Sequence, residues 1–191
     1  MQEISFSTIL ALIVAVAVVA AGAWAYWRMQ RRRALARKYG SEYQRIVQDK
    51  GDPQRELEAR EKRVSGFELK DLEPAQRERY MDAWARIQAD FVDEPARAAR
   101  KAHELLMAVM SDRGYPEAEL EQRQRDLSVN YPDLIEPYRE ACEIARRQTG
   151  PGGATTEDLR KATICYRSLL NALLNGRSTA RLEEEKHALA S

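Results

Sequence analysis

The stretch ISFSTILALIVAVAVVAAGAWAYW, residues 4–27, contains no charged residue. A helix of this length extends roughly 36 Å, more than the roughly 30 Å hydrocarbon core of a bilayer. Trp24, Tyr26 and Trp27 gather at one end of the stretch, where amphipathic rings favour the boundary between lipid and water. The sequence therefore predicts an N-terminal transmembrane anchor, residues 1–27, with a single crossing.

The charges that flank this stretch predict its orientation. Residues 1–3 contain no Lys or Arg, whereas six basic residues follow the apolar run. Basic residues remain on the cytoplasmic side of a membrane, so we expect the N-terminus outside and the following domain in the cytoplasm of a bacterium, at its inner membrane. The same residues are the predicted membrane-surface site, in contact with anionic head groups: Arg28, Arg31, Arg32, Arg33, Arg37 and Lys38.

A cleaved signal peptide is the alternative interpretation of the apolar run. Two tripeptides, residues 21–23 and 23–25, resemble the small-residue sites at which signal peptides are cut. A signal peptide carries its positive charge before the apolar run, however, and here the charge follows it. The run is also longer than the usual signal core. These two features favour an uncleaved anchor.

The charge balance of the whole chain excludes some classes of function. Among 191 residues, 31 Lys and Arg stand against 30 Asp and Glu, for a formal net charge of +1. A dedicated nucleic-acid-binding protein usually has a strong basic excess, so we expect no nucleic acid as partner. The two cysteines do not make a disulfide framework and should be reduced thiols in a cytoplasmic domain.

Helical periodicity dominates the chain after the anchor. Apolar residues recur at steps of three and four, which is typical of helices with one buried face. Residues 28–176 are therefore predicted to be a cytoplasmic all-α domain, a bundle of about five to six helices, and residues 177–191 a polar, frayed tail. The apolar stripes that carry this prediction are Leu35, Tyr39, Tyr43, Ile46 and Val47; Leu57 and Val64; Tyr80, Trp84, Ile87 and Phe91; Ala98, Ala102, Leu105, Leu106, Val109 and Met110; Leu120 and Leu127; Leu134, Ile135, Tyr138, Cys142 and Ala145; and Leu159, Ala162, Tyr166, Leu169, Leu170 and Leu173.

Caps and breakers divide the stripes into helices. The first helix is predicted to continue from the anchor to Gln48, and Asp52 with Pro53 to start the next one. Further starts are predicted at residues 74, 95 and 116 and after residue 132. A kink or a late start is expected at Pro137, and Thr155 with Asp158 forms a capping box for the last helix. Prolines recur every 21 residues from 53 to 137, but no second position repeats with them, so we interpret the spacing as coincidence.

No residue pattern predicts catalysis, a cofactor or a metal. His103 and Glu104 begin an HExxH pattern, but Met107 occupies the place of the second His, so His103 is interpreted as a boundary residue. Cys142 and Cys165 are interpreted as small buried hydrophobes. The carboxylates Glu56, Glu58 and Glu61, and those of residues 183–185, are interpreted as solvated helix faces with partners such as Arg60 and Arg181. The protein is therefore expected not to be an enzyme.

Several short segments resemble a family of small bacterial single-span membrane proteins of uncharacterised function, common in actinobacteria and other soil bacteria. The resemblance implies an inner-membrane location and an envelope or stress context, and it supplies no catalytic residue. Pro137 departs from the polar residue expected there. The segments are residues 37–43, Arg79 and Tyr80 with Trp84, residues 88–95, 113–116, 126–129 and 155–160.

The function expected from these observations is that of a membrane-anchored scaffold or interaction domain that binds another protein or itself. Confinement to a membrane raises the effective concentration of a partner held there. Two alternatives remain open: a sensor of anionic lipid surfaces that uses the basic residues, and an enzyme of a type that no motif identifies. A buried titratable cluster in a concave pocket would favour the enzyme.

Overall fold

The computed structural model describes residues 6–49, 51–150 and 153–176, with the backbone alone for residues 6–15 and 17. This part of the chain contains helices and no strand, so the all-α fold class is confirmed. The predicted tail, residues 177–191, and the start of the predicted anchor lie outside the described residues. The helices are α1 (Phe6–Gln48), α2 (Pro53–Val64), α3 (Pro74–Asp90), α4 (Pro95–Asp112), α5 (Leu120–Asn130), α6 (Ile135–Gln148) and α7 (Thr156–Leu174).

Helix starts follow the predicted caps. Proline is the first residue of α2, α3 and α4, where its missing N–H would have no partner within the helix in any case. The side chain of Asp52 accepts a hydrogen bond from the Gln54 amide, and Thr155 and Asp158 form the predicted capping box. Three of the prolines at the 21-residue spacing thus start helices, whereas Pro116 lies in a loop and Pro137 lies inside α6.

Three details of the predicted elements are wrong. Helix α5 begins at Leu120 and not at residue 116, and the Leu120 side chain is exposed because it precedes the part of α5 that is buried. Val47 and Ala145 lie on exposed faces of α1 and α6 rather than on the buried stripes. The expected late start of α6 is confirmed. The helix begins at Ile135 rather than directly after residue 132, so Pro137 falls in its first turn, where no backbone hydrogen bond is lost.

The larger of two apolar cores lies among α3, α4, α6 and α7. Helix α7 packs along both α4 and α6, and α3 packs against α4. Leu106, Leu173 and Tyr138 are fully enclosed at its centre, and Trp84 of α3 packs against it. This is the helix bundle that the stripes predicted.

A smaller core lies where the end of α1 meets α2 and α5. It consists of Tyr39, Ile46 and Leu57, with Leu35 and Tyr43 partly buried beside them. Helix α2 packs against both α1 and α5, and α5 in turn contacts α6. The end of α1 is therefore attached to the bundle through α2 and α5, and we call this region the joint.

Helix α1 is not the continuous helix that was predicted. Gly40 has φ +43° and ψ −112°, a conformation that side-chain-bearing residues rarely adopt, and it separates residues 6–39 from residues 41–48. The break lies within the joint, since Leu35 and Tyr39 precede it and Ile46 follows it in the smaller core. The sequence missed the break because a single glycine within a helical pattern is usually tolerated.

Within the part of the chain that the structure describes, no helix is long and apolar enough to cross a membrane. The predicted anchor, residues 4–27, falls largely on residues outside that range or described by their backbone alone.

Candidate functional site

A buried cluster of charges lies in the joint, centred on Glu42. This carboxylate is fully enclosed, with 0% of the residue exposed. Arg60 on α2 donates from Nη1 to its Oε2 at 2.5 Å, and Arg139 on α6 donates from Nη1 to its Oε1. Two guanidinium groups from two other helices thus converge on one carboxylate of α1. We call Glu42, Arg60 and Arg139 the triad.

The break at Gly40 positions the triad. Glu42 is the second residue after the break, so the change in backbone direction determines which way its side chain projects. Tyr39 and Ile46, one turn to either side, are buried in the smaller core and enclose the carboxylate. Arg60 lies between Leu57 and Val64 on the buried face of α2, at helical spacing from both.

Further polar groups add hydrogen bonds to the triad, and only the buried Nη2 of Arg139 lacks a partner among the described residues. Arg60 also bonds to Glu56 (Nε to Oε1, 3.0 Å) and to the Ser128 hydroxyl at 3.2 Å. Arg139 also bonds to Gln124 and Glu136, both at 3.3 Å. The cluster therefore ties together α1, α2, α5 and α6. A buried charge is tolerated only when it is paired and hydrogen-bonded in this way.

The titration behaviour of Glu42 fits a structural role. Burial by itself would raise its pKa, but the hydrogen bonds and positive charges of Arg139 and Arg60 outweigh burial and hold the pKa below the ordinary value. At neutral pH the group is a carboxylate with both oxygens engaged and no exposed surface. Such a group neither reaches a substrate nor accepts a proton readily, so the triad is suited to holding helices together rather than to acid–base chemistry.

A second set of polar contacts joins α1 to α2 nearer the N-terminus. Glu61 accepts hydrogen bonds from Lys38 at 2.9 Å and from the Tyr39 hydroxyl at 2.5 Å. Arg31 lies 3.5 Å from a carboxylate oxygen of Glu58. Burial would raise the pKa of Glu61, but the bonds from Tyr39 and Lys38 outweigh it and lower the pKa. The predicted i,i+4 pair of Glu56 with Arg60 is confirmed, and Glu58 is exposed, but Glu58 and Glu61 also bind α1, which the interpretation as a solvated face did not include.

These contacts divide the predicted membrane-surface residues into two groups. Arg31 and Lys38 are paired with α2, whereas Arg28, Arg32, Arg33 and Arg37 form no ion pair with any described residue. Arg33 donates only to the Met29 sulfur, at 3.8 Å. Arg33 and Arg37 lie one turn apart on the side of α1 opposite Arg31 and Lys38, since residues 31, 35 and 38 share the face toward α2. Part of the basic segment is thus free to bind another charge.

The side chains just before this segment are exposed on every side of α1. Val16, Val19 and Trp24 are 61%, 71% and 59% exposed, and Tyr26 and Trp27 are also exposed. Every residue from Val18 to Trp27 is exposed, and at 100° per residue these ten consecutive positions surround the helix, with Val18 and Ala25 on the side opposite Val16 and Trp27. Two arginines lie over the indole rings, Arg28 over Trp24 at 5.3 Å and Arg31 over Trp27 at 4.7 Å.

His103 and the two cysteines lie in the bundle and are not part of the triad. His103 is partly buried, as expected for a boundary residue, and its ring packs 5.4 Å from that of Tyr166. Cys142 is buried and Cys165 partly buried, and both are free thiols. Burial raises the pKa of each, which keeps both thiols protonated and unreactive at neutral pH. Among the described residues no group of three or more potential ligands could hold a metal ion.

The triad was missed from the sequence, although a signal for it exists. Glu42 falls between Tyr39 and Ile46 on the apolar stripe of α1, and Arg139 falls between Ile135 and Cys142 on that of α6. A charge on an otherwise buried face requires a partner of opposite charge from another element. The predicted stripes contain apolar residues only, so they did not include these charges.

The chain matches no protein-family model, no curated protein and no solved structure.

Proposed function

We propose that this protein is a membrane-anchored helical interaction domain, held by the first part of α1 with its bundle on the cytoplasmic side. The observation that carries the proposal is the exposure of apolar side chains around the whole circumference of α1 between Val16 and Trp27. A protein groove would cover one face of such a helix, whereas lipid surrounds it. The uncharged residues 4–15 extend the same apolar surface along the sequence.

The sequence of polar and aromatic groups along α1 supports the same arrangement. Trp24, Tyr26 and Trp27 lie at the end of the uncharged stretch, and the arginines without an ion pair begin immediately after them. Aromatic rings followed by basic side chains are typical of the cytoplasmic boundary of a bilayer. The joint begins about ten residues further on, so α2 and the bundle would lie close to the cytoplasmic surface of the membrane.

The contacts of α1 with α2 and α6 would fix the orientation of the bundle relative to the anchor. Glu42 ties the end of α1 to α2 and α6, and Arg31 and Lys38 pair with α2. Together these contacts would hold the bundle in one orientation relative to its anchor. A fixed orientation presents the same charged helix faces to a partner protein, or to a second copy, on the same membrane. Confinement of both partners raises their effective concentration without further contact area.

The anchor is tested by placing charges on the exposed apolar part of α1. Val16→Arg with Val19→Arg should move the full chain from the membrane fraction to the soluble fraction, since an arginine near the centre of a spanning helix costs about 2.5–3.5 kcal/mol. Val47→Arg is the matched control: it is an exposed valine on the same helix beyond Gly40, and the variant should stay in the membrane fraction. Equal fractionation of both variants would contradict the proposal.

The orientation is tested with a reporter fused to the C-terminus. A reporter that is active only in the cytoplasm should work, and one that requires the periplasm should not. Activity of the periplasmic reporter alone would reverse the topology.

A second candidate function, recognition of anionic lipid surfaces, is favoured by one observation. Arg32, Arg33 and Arg37 have no carboxylate partner among the described residues, and near a negatively charged surface each contributes about 1 kcal/mol. If the domain senses lipid charge, replacing these three by Gln should remove any preference of the reconstituted full chain for phosphatidylserine-containing membranes. Replacing the paired Arg31 and Lys38 should weaken the joint instead.

A further inference from the structure

A cavity of about 280 Å³ lies between α4, α6 and α7, distant from the joint. It exists because alanines from all three helices face each other there, and their short side chains leave the space between the helix backbones unfilled. The alanines are Ala96 and Ala99 on α4, Ala145 on α6 and Ala162 on α7.

The walls of the cavity are apolar and firmly packed. Ile144, Leu159 and Tyr166 form its inner surface and are each no more than 4% exposed. The Tyr166 hydroxyl donates to the Ala141 carbonyl at 3.1 Å, so this ring is held in place and does not fill the space. An apolar cavity of about 150 Å³ admits benzene, and ligand pockets start at about 300 Å³. This one has room for a chain of roughly eight carbons.

The polar groups at the cavity fall into two kinds. On α6, the Gln148 side chain accepts from the Ala154 amide at 3.0 Å, and the Thr149 hydroxyl donates to a carbonyl at 2.9 Å. These groups are occupied in holding the loop between α6 and α7. On α4, in contrast, Arg100 forms no ion pair with any described residue, and the Nδ1 atom of His103 is enclosed without a hydrogen-bond partner.

The charge at the cavity is therefore a single positive one. Burial, together with the charge of Arg123, lowers the pKa of His103, so its ring is neutral at pH 7. No acidic residue is among the described residues that line the space. Arg100 is exposed at its edge, one turn from Ala96 and one from His103 on the same face of α4.

We propose that this cavity is a binding site for a small monoanionic amphiphile, a carboxylate with an unbranched alkyl chain of about eight carbons. The chain lies between the alanines, against Ile144 and Leu159, and the carboxylate pairs with Arg100 at the edge. The complementarity is of two kinds: an apolar space with apolar walls takes the chain, and an unpaired guanidinium takes the one negative charge. No bond forms or breaks, and the site gives the domain a ligand that is independent of its anchor.

The site is tested by following alanine methyl groups in the full chain. The protein is labelled with ¹³C at its alanine methyls, reconstituted in micelles, and titrated with sodium butanoate, hexanoate and octanoate. The methyl signals of Ala99 and Ala162 should shift saturably, and affinity for the free carboxylate should rise about fourfold per methylene. Alanine signals on α2 should not move. Absence of saturable shifts at these two methyls with octanoate would overturn the proposal.

Filling the cavity provides the first variant. Ala145 is an exposed residue of the lining, so Ala145→Leu extends a larger side chain into the space without entering the packed core, and octanoate affinity should fall at least tenfold. Ala85→Leu, at an exposed alanine of α3 that does not line the cavity, is the matched control and should leave the affinity unchanged. Equal affinity in both variants would place the ligand elsewhere.

The charge is tested separately, and this variant remains informative if Ala145→Leu does not fold. Arg100→Gln should weaken octanoate about tenfold and leave the affinity for octanol, which has no charge, unaltered. An Arg100→Gln variant that binds octanoate as tightly as the parent would overturn the assignment of an anion to this site. Both experiments are independent of membrane anchoring, so their failure and that of the proposed function are distinguishable.

Discussion

The bundle core and the joint hold helices together by different physical means. Among α3, α4, α6 and α7, burial of leucines, tyrosines and alanines dominates, and the enclosed groups at its centre are apolar. The core of the joint consists of Tyr39, Ile46 and Leu57, and the buried charges of the triad lie on the same helices beside it. Apolar burial is non-directional and tolerates shifts of side chains, whereas a buried carboxylate with two guanidinium partners requires one geometry.

The two regions therefore contribute differently to the stability of the domain and to the orientation of α1. The larger core encloses 24 buried residues, whereas the smaller core of the joint encloses three, so most of the apolar burial that stabilises the fold lies in the bundle. We infer that the triad contributes specificity instead, because a buried carboxylate that must meet two guanidinium groups favours one register of the end of α1 against α2 and α6. A membrane-anchored domain with a fixed orientation would need both properties, one in each region.

The largest effect is expected from emptying the bundle core at Trp84. This side chain is buried between α3 and α4, and Trp84→Ala should lower the free energy of unfolding by about 3–5 kcal/mol. The effect should be global, so hydrogen exchange should accelerate in α4 and α7 together, as measured on the full chain in micelles. A loss below about 1 kcal/mol would mean that the core does not depend on this residue.

A slightly smaller effect, confined to the joint, is expected from Glu42→Gln. Removing one member of a buried ion cluster costs about 3–5 kcal/mol because the partner charges remain unpaired, and the amide of Gln retains one hydrogen bond, which favours the lower end. Hydrogen exchange should accelerate in residues 41–48 and in α2, and remain slow in α7. Exchange that accelerates equally in α7 would show that the two regions unfold as one unit.

A matched control separates burial from charge. Glu58→Gln removes a carboxylate of α2 whose one ion pair among the described residues, with Arg31 at 3.5 Å, is exposed to solvent. Exposed ion pairs contribute about 0–1 kcal/mol, so this variant should differ little from the parent in the same exchange experiment.

The next largest effect is expected from replacing Gly40, the residue at the break in α1. Gly40→Ala places a side chain at φ +43°, where it costs about 1–3 kcal/mol, although no neighbouring atom obstructs the added methyl group. The joint should open more readily, and the bundle core should be unaffected. Spin labels at residues 36 and 44 should show an increased separation. A gain in stability would mean that the break at Gly40 is not needed to dock Glu42.

The smallest effect is expected from mild acid. Because the pKa of Glu42 is lower in the folded state than its ordinary 4.5, its stabilising contribution is complete above that value and is lost as pH falls below it, through the folded-state pKa. Exchange in residues 41–48, corrected for intrinsic rates, should increase below pH 4.5. Glu42→Gln should lack this pH dependence, and an unchanged dependence in that variant would assign it to other carboxylates.

The sequence by itself determined the all-α class, the bounds of most helices and the buried stripes of the bundle. It did so because these features are local: a cap such as Thr155 with Asp158, a proline at a first position, and apolar residues three and four apart act within one helix. The apolar stretch of residues 4–27 and the basic segment after it are equally plain in the sequence, and they remain the basis of the proposed anchor.

Only the tertiary structure decided which charges meet. Glu42, Arg60 and Arg139 are separated by 18 and 79 residues, and nothing local selects them from among the other charged residues of the chain. Their encounter depends on the backbone at Gly40, on α2 turning back along α1, and on α5 bringing α6 close to both. A long-range ion cluster follows from how helices are stacked, since periodicity tells which face of a helix is buried but not which partner covers it.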